Sequence, residues 1–415
     1  MGIGYKILSA VFEYQTAKIV AVKSLKIGVL YRIIQLLIIG YIVGYVIVYK
    51  KGYQLTDRAV SSVTTKVKGI AFSNRSDLPD TKEYRRIWDT ADYVIPPQQA
   101  NAFFVMTNAI ITPEQQLSQC PESPESEGAR CTSDGDCSRG EILEHGVMTG
   151  RCVPFSNSTM TCEIEAWCPV EIDQEPKGNL IVEEDLKKFT VMIKNFIEFP
   201  KFEIKRRNIV NSIDNATYLK SCTFNEDNDP LCPIFGLEDI LLNAKVDNVS
   251  SLLRNGGVVD IMINWDCDLD RNNEKCLPTY SFRRLDQESV KLAPGWNFRY
   301  ANYYRPNGTQ VRDLIKAYGI LFVVSVQGMA GKFNVVPLLL NIGSGLALLS
   351  ISPIICDLVL LYVLPKRRYY SDKKFLKITD EGVIEEARSR DDSREDYDTK
   401  RGFVNPNADL GANSK

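Results

Sequence analysis

Two long apolar segments are the feature of this sequence that most limits its possible folds. One runs from Ile27 to Tyr49 and the other from Val335 to Leu364. Each is long enough for a membrane-spanning helix, which needs ~20 apolar residues. We therefore predict a membrane protein with helices at 27–49 and 335–364 and a large domain at 50–334 between them. This layout excludes most functions of soluble proteins.

The charged residues that flank the two segments predict the side of the membrane on which each part lies. Residues 1–26 contain four lysines and one glutamate, and the sequence KRRYYSDKK follows the second segment. Basic flanks of membrane helices usually stay in the cytosol. We therefore expect a cytosolic N-terminus at 1–26, an extracellular domain at 50–334 and a cytosolic tail at 365–415. The first apolar run starts too late and is too long for a cleavable signal peptide, so we expect it to act as an uncleaved anchor.

Both apolar segments also contain polar residues. Arg32 and Gln35 lie in the first, and Asn341 and Asp357 lie in the second. Ionisable and polar groups inside a membrane usually face a protein interior or water. A pair of plain anchors is the simpler interpretation, but these residues favour helices with a further role.

The domain between the segments has the composition of a secreted protein. It holds ten of the eleven cysteines, and an even number in an extracellular segment indicates disulfides whose pairing the sequence leaves open. Zinc is disfavoured because the close cysteine pairs are too far apart for a zinc motif and the chain has a single histidine, His145. The eleventh cysteine, Cys356, lies in the second apolar segment and is interpreted as a small apolar residue. The formal net charge of -2 gives no indication of nucleic-acid binding.

Glycosylation sequons agree with this topology, because they lie only in the predicted extracellular domain. Such sequons predict surface positions in a glycoprotein. The asparagines are Asn74, Asn157, Asn215, Asn248 and Asn307.

Alternating apolar and polar residues predict that the extracellular domain is mainly β-structure. The segment SSVTTKVKGIAF alternates as a half-buried strand does, and the final predicted strand continues into the second membrane helix. The segment between Cys120 and Cys168 is rich in cysteine, glycine and serine, which predicts a small subdomain held by disulfides.

Basic and amide side chains share one face on two of the predicted strands. Lys66 and Lys68 are two residues apart, as are Asn297 and Arg299, and Lys316 follows in RDLIKAYGI. The guanidinium of arginine suits phosphate or carboxylate. A solvated basic face is the simpler interpretation, and the spacing alone favours it.

Short motifs occur along most of the chain, and they are specific when taken together. They are VTTKVKG, FPKF, WDCDLD, YSFRRLD, NFRYANYY, LIKAYGI, GKFNVVP and NIGSGLALL, together with the ten-cysteine pattern. In these motifs the chain resembles the P2X purinoceptors, which are ATP-gated cation channels. The resemblance extends from Tyr14 to Lys374 and includes the short motifs YQTAK and YxxxK at its two ends.

The resemblance implies a homotrimer in the plasma membrane, with a heterotrimer as an alternative. Extracellular ATP would be the agonist, and Na⁺ and K⁺ would permeate, with Ca²⁺ as a further candidate. No cofactor and no enzymatic activity are implied. Many relatives carry carboxylates where this chain has Lys51 and Leu55, a difference that disfavours divalent cations.

The resemblance also assigns roles to individual residues. ATP would be bound by Lys66, Lys68 and Thr190 of one subunit and by Asn297, Arg299 and Lys316 of its neighbour. The pore and its gate would involve Leu340, Asn341 and Ser344 of the second helix. The implied disulfides are Cys120–Cys168, Cys131–Cys152, Cys137–Cys162, Cys222–Cys232 and Cys267–Cys276.

Two other classes of protein share this topology. An ecto-nucleotidase would need a phosphate-binding loop and a carboxylate or metal that activates water. The sequence has no Gly-rich P-loop and a single histidine, so an enzyme is disfavoured. A two-span lipid or scavenger receptor would have an unremarkable second helix, in contrast to NIGSGLALL with its Asn341.

Overall fold

The structure is a computed structural model that describes residues 24–74, 85–172, 176, 178–211, 213–271, 275–286 and 295–365. It divides into two units, each treated separately below. The helical unit combines the two ends of the chain, up to Tyr53 and from Asn334, and the β unit is Gln54–Phe333. The motifs YQTAK and YxxxK, and most of the two predicted cytosolic segments, lie outside the described residues.

The helices, in chain order, are α1 (Leu25–Gly40), α2 (Thr90–Tyr93), α3 (Glu183–Leu186), α4 (Tyr218–Ser221), α5 (Leu237–Asn243), α6 (Val249–Asn255), α7 (Val335–Leu349) and α8 (Ile351–Leu358). The strands are β1 (Gln54–Arg58), β2 (Val60–Lys68), β3 (Ala71–Phe72), β4 (Ile87–Trp88), β5 (Ala102–Pro121), β6 (Gly146–Ser156), β7 (Thr159–Cys168), β8 (Thr190–Phe199), β9 (Ile204–Arg207), β10 (Ile234–Gly236), β11 (Gly257–Asp268), β12 (Pro278–Arg284), β13 (Asn297–Tyr304) and β14 (Val311–Phe333).

The helical unit contains two helices long and apolar enough to cross a membrane. α1 continues through wider π-helical turns to give Leu25–Tyr49, and α7 and α8 continue to give Val335–Val363. The side chain of Asn334 caps α7 by accepting a hydrogen bond of 2.8 Å from the backbone N–H of Val336. This cap starts the helix directly after the last strand ends.

Close contacts join the two long helices where glycine leaves room. A Cβ on Gly345 would lie 2.9 Å from the side chain of Ile42, so glycine permits close approach of the helices at this point. A Cβ on Gly40 or Gly44, which form a small-xxx-small pair on the first helix, would meet no described atom within 4 Å. Within the described part of one subunit, that face is not a packing surface.

The β unit is built around β14, the longest strand. It pairs with β5, β13 and β1 in antiparallel fashion and with β11 in parallel. Together with β12, β7 and β6 these strands form an eight-stranded sheet. The middle of β14, residues 315–322, is buried on both faces, which explains why its sequence is apolar apart from Lys316.

A second sheet has the strand order β10-β8-β2, with β9 also paired to β8. In β2 exposed residues alternate with less exposed ones, as expected of a half-buried strand. Two residues with no exposed surface, Trp265 of β11 and Asn195 of β8, join the two sheets: the indole Nε1–H donates to the Asn195 side-chain oxygen at 2.8 Å. The sheets therefore share one core.

The cysteine-rich segment forms the β6–β7 hairpin with a small core of its own, as its composition predicts. The structure pairs the cysteines of the β unit as Cys120–Cys168, Cys131–Cys152, Cys137–Cys162, Cys222–Cys232 and Cys267–Cys276. These are the five pairs that the resemblance implies. Cys356, in the helical unit, is a buried free thiol.

Candidate functional site

The first group of predicted ligand-binding residues lies on β2 and β8. Lys66 and Lys68 are exposed, whereas Val67 between them is buried. Lys68 lies directly opposite Thr190 in the β2–β8 register. Directly opposite residues of an antiparallel pair share a face, with Cβ atoms about 5 Å apart. Within the described residues, neither lysine has an ion pair, so both charges are available to an anion.

Gly69 and Phe189 lie in contact where β2 ends and β8 begins. Gly69 follows Lys68 with a φ of +151°, and a Cβ there would overlap the Phe189 ring. Phe189 precedes Thr190 and stacks on Tyr93 with ring centroids 4.9 Å apart, and the Tyr93 hydroxyl donates to the Gly69 carbonyl oxygen at 3.0 Å. This buried contact fixes Lys68 beside Thr190.

The second group lies on β13 and β14. Arg299 is directly opposite Lys316 in the register, and Asn297 is opposite Tyr318. Asn297 and Arg299 are exposed, as the alternation of the strand predicts, whereas only 6% of the Lys316 surface is exposed. The Lys316 ammonium lies 5.5 Å from the centroid of the Tyr318 ring. Two cations in directly opposite positions repel each other unless an anion lies nearby.

Glu171 supplies a negative charge to this group. The Arg299 Nε–H donates to Glu171 Oε2 at 2.7 Å, although 128 residues separate the two in sequence. Glu171 is only 4% exposed, and its other oxygen, Oε1, has no hydrogen-bond partner within the described residues. Sequence reasoning missed this residue, because nothing in its local sequence links it to a strand so far along the chain.

A second buried carboxylate, Glu122, lies in the cysteine-rich segment next to the single histidine. His145 Nδ1 is 2.6 Å from Glu122 Oε1, and the His145 backbone N–H donates to Oε2 at 3.1 Å. Burial alone would raise the pKa of Glu122, but the hydrogen bonds from His145 and Ser123 outweigh it and lower the pKa. The hydrogen bond to Glu122 raises the pKa of His145, and the negative charge of Glu171 contributes in the same direction. Glu171, the carboxylate that binds Arg299, makes the smallest of these contributions to the pKa of His145.

The predicted gate residues lie on α7. Leu340 and Ser344 are both exposed and four residues apart, so they occupy one helical face. The Ser344 hydroxyl donates to the Leu340 backbone oxygen at 2.9 Å. Asn341 lies partly buried, and its Nδ2 donates to the Gly52 carbonyl oxygen at 2.7 Å and to the Pro337 carbonyl oxygen at 3.0 Å. Asn341 therefore joins α7 to the end of the first helical segment.

Cysteine sulfurs come close enough together in two places to resemble metal ligands. One cluster contains Cys131, Cys137 and Cys162, and the other contains Cys222 and Cys232. Each of these sulfurs is bonded to another in a disulfide, so none is a thiolate that could bind zinc.

The asparagines of the predicted sequons are exposed in all five positions. The Asn248 side-chain oxygen caps α6 by accepting from the Ser251 N–H at 2.9 Å. This contact uses only the oxygen of the amide and leaves its nitrogen for a glycan.

Comparison with known proteins places these features in a family. A family model described as ATP P2X receptor matches residues 12–377. P2X purinoceptor 4 of Mus musculus is 47% identical over 377 residues, which are 90% of this chain and 95% of that protein. P2X purinoceptor 5 of Mus musculus is also 47% identical, over 89% of this chain and 80% of that protein.

Two crystal structures resemble the fold. An invertebrate P2X receptor from the Gulf Coast tick, determined in the presence of ATP and Zn²⁺, superposes with a TM-score of 0.73 at 46% identity, covering 80% of this chain and 100% of that one. The chicken ATP-gated P2X7 receptor channel, determined with the competitive antagonist TNP-ATP, gives a TM-score of 0.68 at 40% identity, covering 82% and 100%. The chain therefore belongs to the P2X receptors, trimeric cation channels of the plasma membrane that extracellular ATP opens, that need no cofactor and that are not enzymes.

Proposed function

We propose that three copies of this chain form a homotrimer in which ATP binds between neighbouring subunits. Lys66 and Lys68 of one subunit bind the phosphates, and Thr190 lies beside the adenine. Asn297, Arg299 and Lys316 of the neighbouring subunit complete the site. Heterotrimers with other family members are the alternative assembly.

The observation that carries this proposal is the division of the candidate residues between two sheets. Each group is already assembled by strand pairing within one chain, Lys68 opposite Thr190 and Arg299 opposite Lys316. A triphosphate needs several cations, and charge-assisted hydrogen bonds are the strong ones. A ligand that joins groups from two subunits favours the arrangement in which they are close, and so shifts the population of interface conformations.

Glu171 places a negative charge in the neighbouring half of the site. Its carboxylate forms an ion pair with Arg299. A phosphate that approaches Arg299 must compete with this carboxylate. When ATP binds, its phosphate replaces the Glu171 carboxylate as the partner of Arg299. Occupancy of the ATP site is thereby coupled to the position of the segment after β7, which carries Glu171.

The ion pathway is lined by α7, with Leu340 and Ser344 facing the axis. Three copies of Leu340 would form an apolar ring, which blocks ions by excluding water. The hydrogen bond of Ser344 to its own helix lowers the polarity of this face. Na⁺ and K⁺ are the permeant ions, and the positive charge of Lys51 outside the first helix reduces permeation of Ca²⁺. Both chain ends lie in the cytosol.

Whole-cell recording of cells that express the chain alone tests the channel activity. ATP should evoke an inward cation current, and Leu340→Asn should produce a leak without ATP, because a polar ring does not exclude water. A chain that reaches the surface, as measured by biotinylation, and gives no current with ATP would refute the proposed function.

Concatenated trimers test the position of the ATP site. Lys68→Ala in one subunit and Arg299→Ala in the neighbour that completes its site should damage one site and leave two intact. Both changes in a single subunit should damage two sites and leave one. If the site lay within one subunit, the double change in that subunit would be the milder one.

A further inference from the structure

The two points where the chain enters and leaves the β unit are joined by one carboxylate. β1 begins at Gln54 and β14 ends at Phe333, and these residues are directly opposite in the register. The Gln54 Nε2 donates to Asp270 Oδ2 at 2.7 Å, and the Phe333 backbone N–H donates to Asp270 Oδ1 at 2.6 Å. Asp270 therefore binds both chain segments that continue into the membrane helices.

Asp268 reinforces this arrangement. Its Oδ1 accepts a second hydrogen bond from Gln54 Nε2 at 2.8 Å and one from the Asp270 backbone N–H at 3.2 Å. The amide of Gln54 thus lies between two carboxylates. We call Gln54, Asp268, Asp270 and Phe333 the linker clamp.

A glycine and a disulfide lie next to the linker clamp. Gly331 lies beside the Gln54 side chain, and a Cβ there would overlap Gln54 Oε1. The disulfide between Cys267 and Cys276 closes the loop that carries Asp270. The chain that carries Asp270 is therefore held by a covalent bond that does not depend on the clamp.

The clamp has little to contribute to folding. Asp270 is exposed, and the β1–β14 ladder continues for four further residue pairs beyond Gln54 and Phe333. Exposed polar contacts contribute little to stability. They do set geometry, because each hydrogen bond has a preferred length and direction. This combination indicates a positioning role.

We propose that Asp270 is a positioning residue for gating, which holds the end of β14 to the start of β1 so that both membrane helices move together when ATP binds. The proposal rests on the proposed channel function. Without the clamp, movement of β14 would reach α7 directly. It would reach the first helix only through the β1–β14 ladder and through contacts between the helical segments, such as the hydrogen bond from Asn341 to Gly52. A smaller fraction of occupied channels would then open.

Single-channel recording at saturating ATP tests this on the full chain, with TNP-ATP binding to membranes as the measure of the ligand site. Asp270→Asn and Gln54→Leu should each lower the maximal open probability at least threefold and change TNP-ATP affinity by less than twofold. The double variant should lose less than the two single effects combined, because the two changes share the hydrogen bond between Gln54 and Asp270. Gln54→Lys, which keeps a donor between the two carboxylates, should restore opening.

Asp266→Asn is the matched control. Asp266 is exposed on β11, the strand that leads to Asp270, and makes no side-chain hydrogen bond within the described residues. It should leave open probability unchanged. Additive effects of the two clamp variants, a normal open probability in Asp270→Asn, or an equal loss in Asp266→Asn would overturn the clamp while leaving the channel intact. Absence of an ATP current in the unaltered chain would overturn the proposed function, and the clamp with it.

Discussion

The two halves of the candidate ATP site differ in the protein groups that their cations contact. On β2, Lys66 and Lys68 are exposed and have no ion pair within the described residues. On β13, Arg299 is bound to the buried carboxylate of Glu171. The first half can only gain interactions when a phosphate binds, whereas the second half must exchange one anion for another.

Because of this difference, a mutation in the first half should affect ligand binding alone, whereas a mutation of Arg299 should affect both ligand binding and protein stability. A lysine of the first half contributes to ligand binding and little to the folded subunit, since exposed charges contribute little to stability. Arg299 contributes to both, because its loss leaves Glu171 buried without its counter-charge. A buried charge deprived of its partner is strongly destabilising. Ligand affinity and protein stability should therefore change together in one half and separately in the other.

Arg299→Ala should have the largest effect. We expect the ATP concentration for half-maximal current to rise more than tenfold and the melting temperature of the purified trimer to fall by several degrees. Removing one partner of a fully buried pair costs about 3–5 kcal/mol. The Arg299 side chain is 46% exposed, so its cost is smaller.

Adding Glu171→Gln to Arg299→Ala sharpens the comparison. The second change removes the unpaired charge, so the melting temperature should recover while the response to ATP stays weak. Glu171→Gln alone serves as the control, and should lower the ATP requirement because phosphate no longer competes with a carboxylate. If stability and ATP response recovered together, Arg299 would act only through the fold.

Lys68→Ala should raise the ATP concentration for half-maximal current at least tenfold with no change in melting temperature. The loss of one charged contact corresponds to ~1.5–3 kcal/mol. Lys205→Ala is the control, because Lys205 is exposed on the same sheet and lies 3.7 Å from Glu198. An unchanged dose–response for Lys68→Ala, or an equal shift for Lys205→Ala, would refute the assignment of Lys68 to the phosphates.

Local patterns predicted the first half of the site better than the second. The alternation in VTTKVK correctly places both lysines on the exposed face of a strand. No local pattern pairs Arg299 with Lys316 or brings Glu171 to them, because these contacts depend on strand order and on the path of the chain after β7. The resemblance supplied the grouping of Arg299 and Lys316, and only the structure supplied Glu171.

The same distinction holds for the fold. The two apolar helices follow from the length of the apolar runs, and the mainly β-structure of the domain between them, with the strands β2 and β13, follows from periodicity. The 20-residue strand β5 was not predicted, because its first half is buried on both faces and lacks alternation. The hydrogen bond from Asn341 to Gly52 joins segments 289 residues apart and also has no local signal.

Thr190→Val tests whether the Thr190 hydroxyl of the first half forms a hydrogen bond with ATP. Loss of one neutral hydrogen bond costs about 0.5–1.5 kcal/mol, so the ATP concentration for half-maximal current should rise by about two- to tenfold. Thr64→Val is the control, because Thr64 is exposed on the same face of β2 and lies opposite Lys194. An effect of Thr64→Val as large as that of Thr190→Val would indicate a general effect on the sheet.

The smallest expected effect is a pH dependence that belongs to the second half alone. The pKa of His145 is raised by its hydrogen bond to Glu122, with a further contribution from Glu171. A group whose pKa is higher in the folded protein than its unfolded value of ~6.5 stabilises the protein when it is protonated. This stabilisation is fully present below pH ~6.5. This stabilisation is lost as the pH rises through the folded pKa. Acidification from pH 8 to pH 6 should therefore raise the melting temperature of the trimer by about one or two degrees relative to His145→Gln.

The negative charge of Glu171 links the protonation of His145 to ligand binding. A protonated His145 attracts Glu171 and so weakens its hold on Arg299, which should lower the ATP concentration for half-maximal current at pH 6 relative to His145→Gln. The Glu171→Gln background is the control, because the link then has no carboxylate on which to act. In Glu171→Gln, the ATP concentration for half-maximal current should no longer change with pH. In Lys68→Ala, it should change with pH as much as it does in the unaltered chain. A shift that persisted in Glu171→Gln, or one that vanished in Lys68→Ala, would show that the two halves do not respond separately.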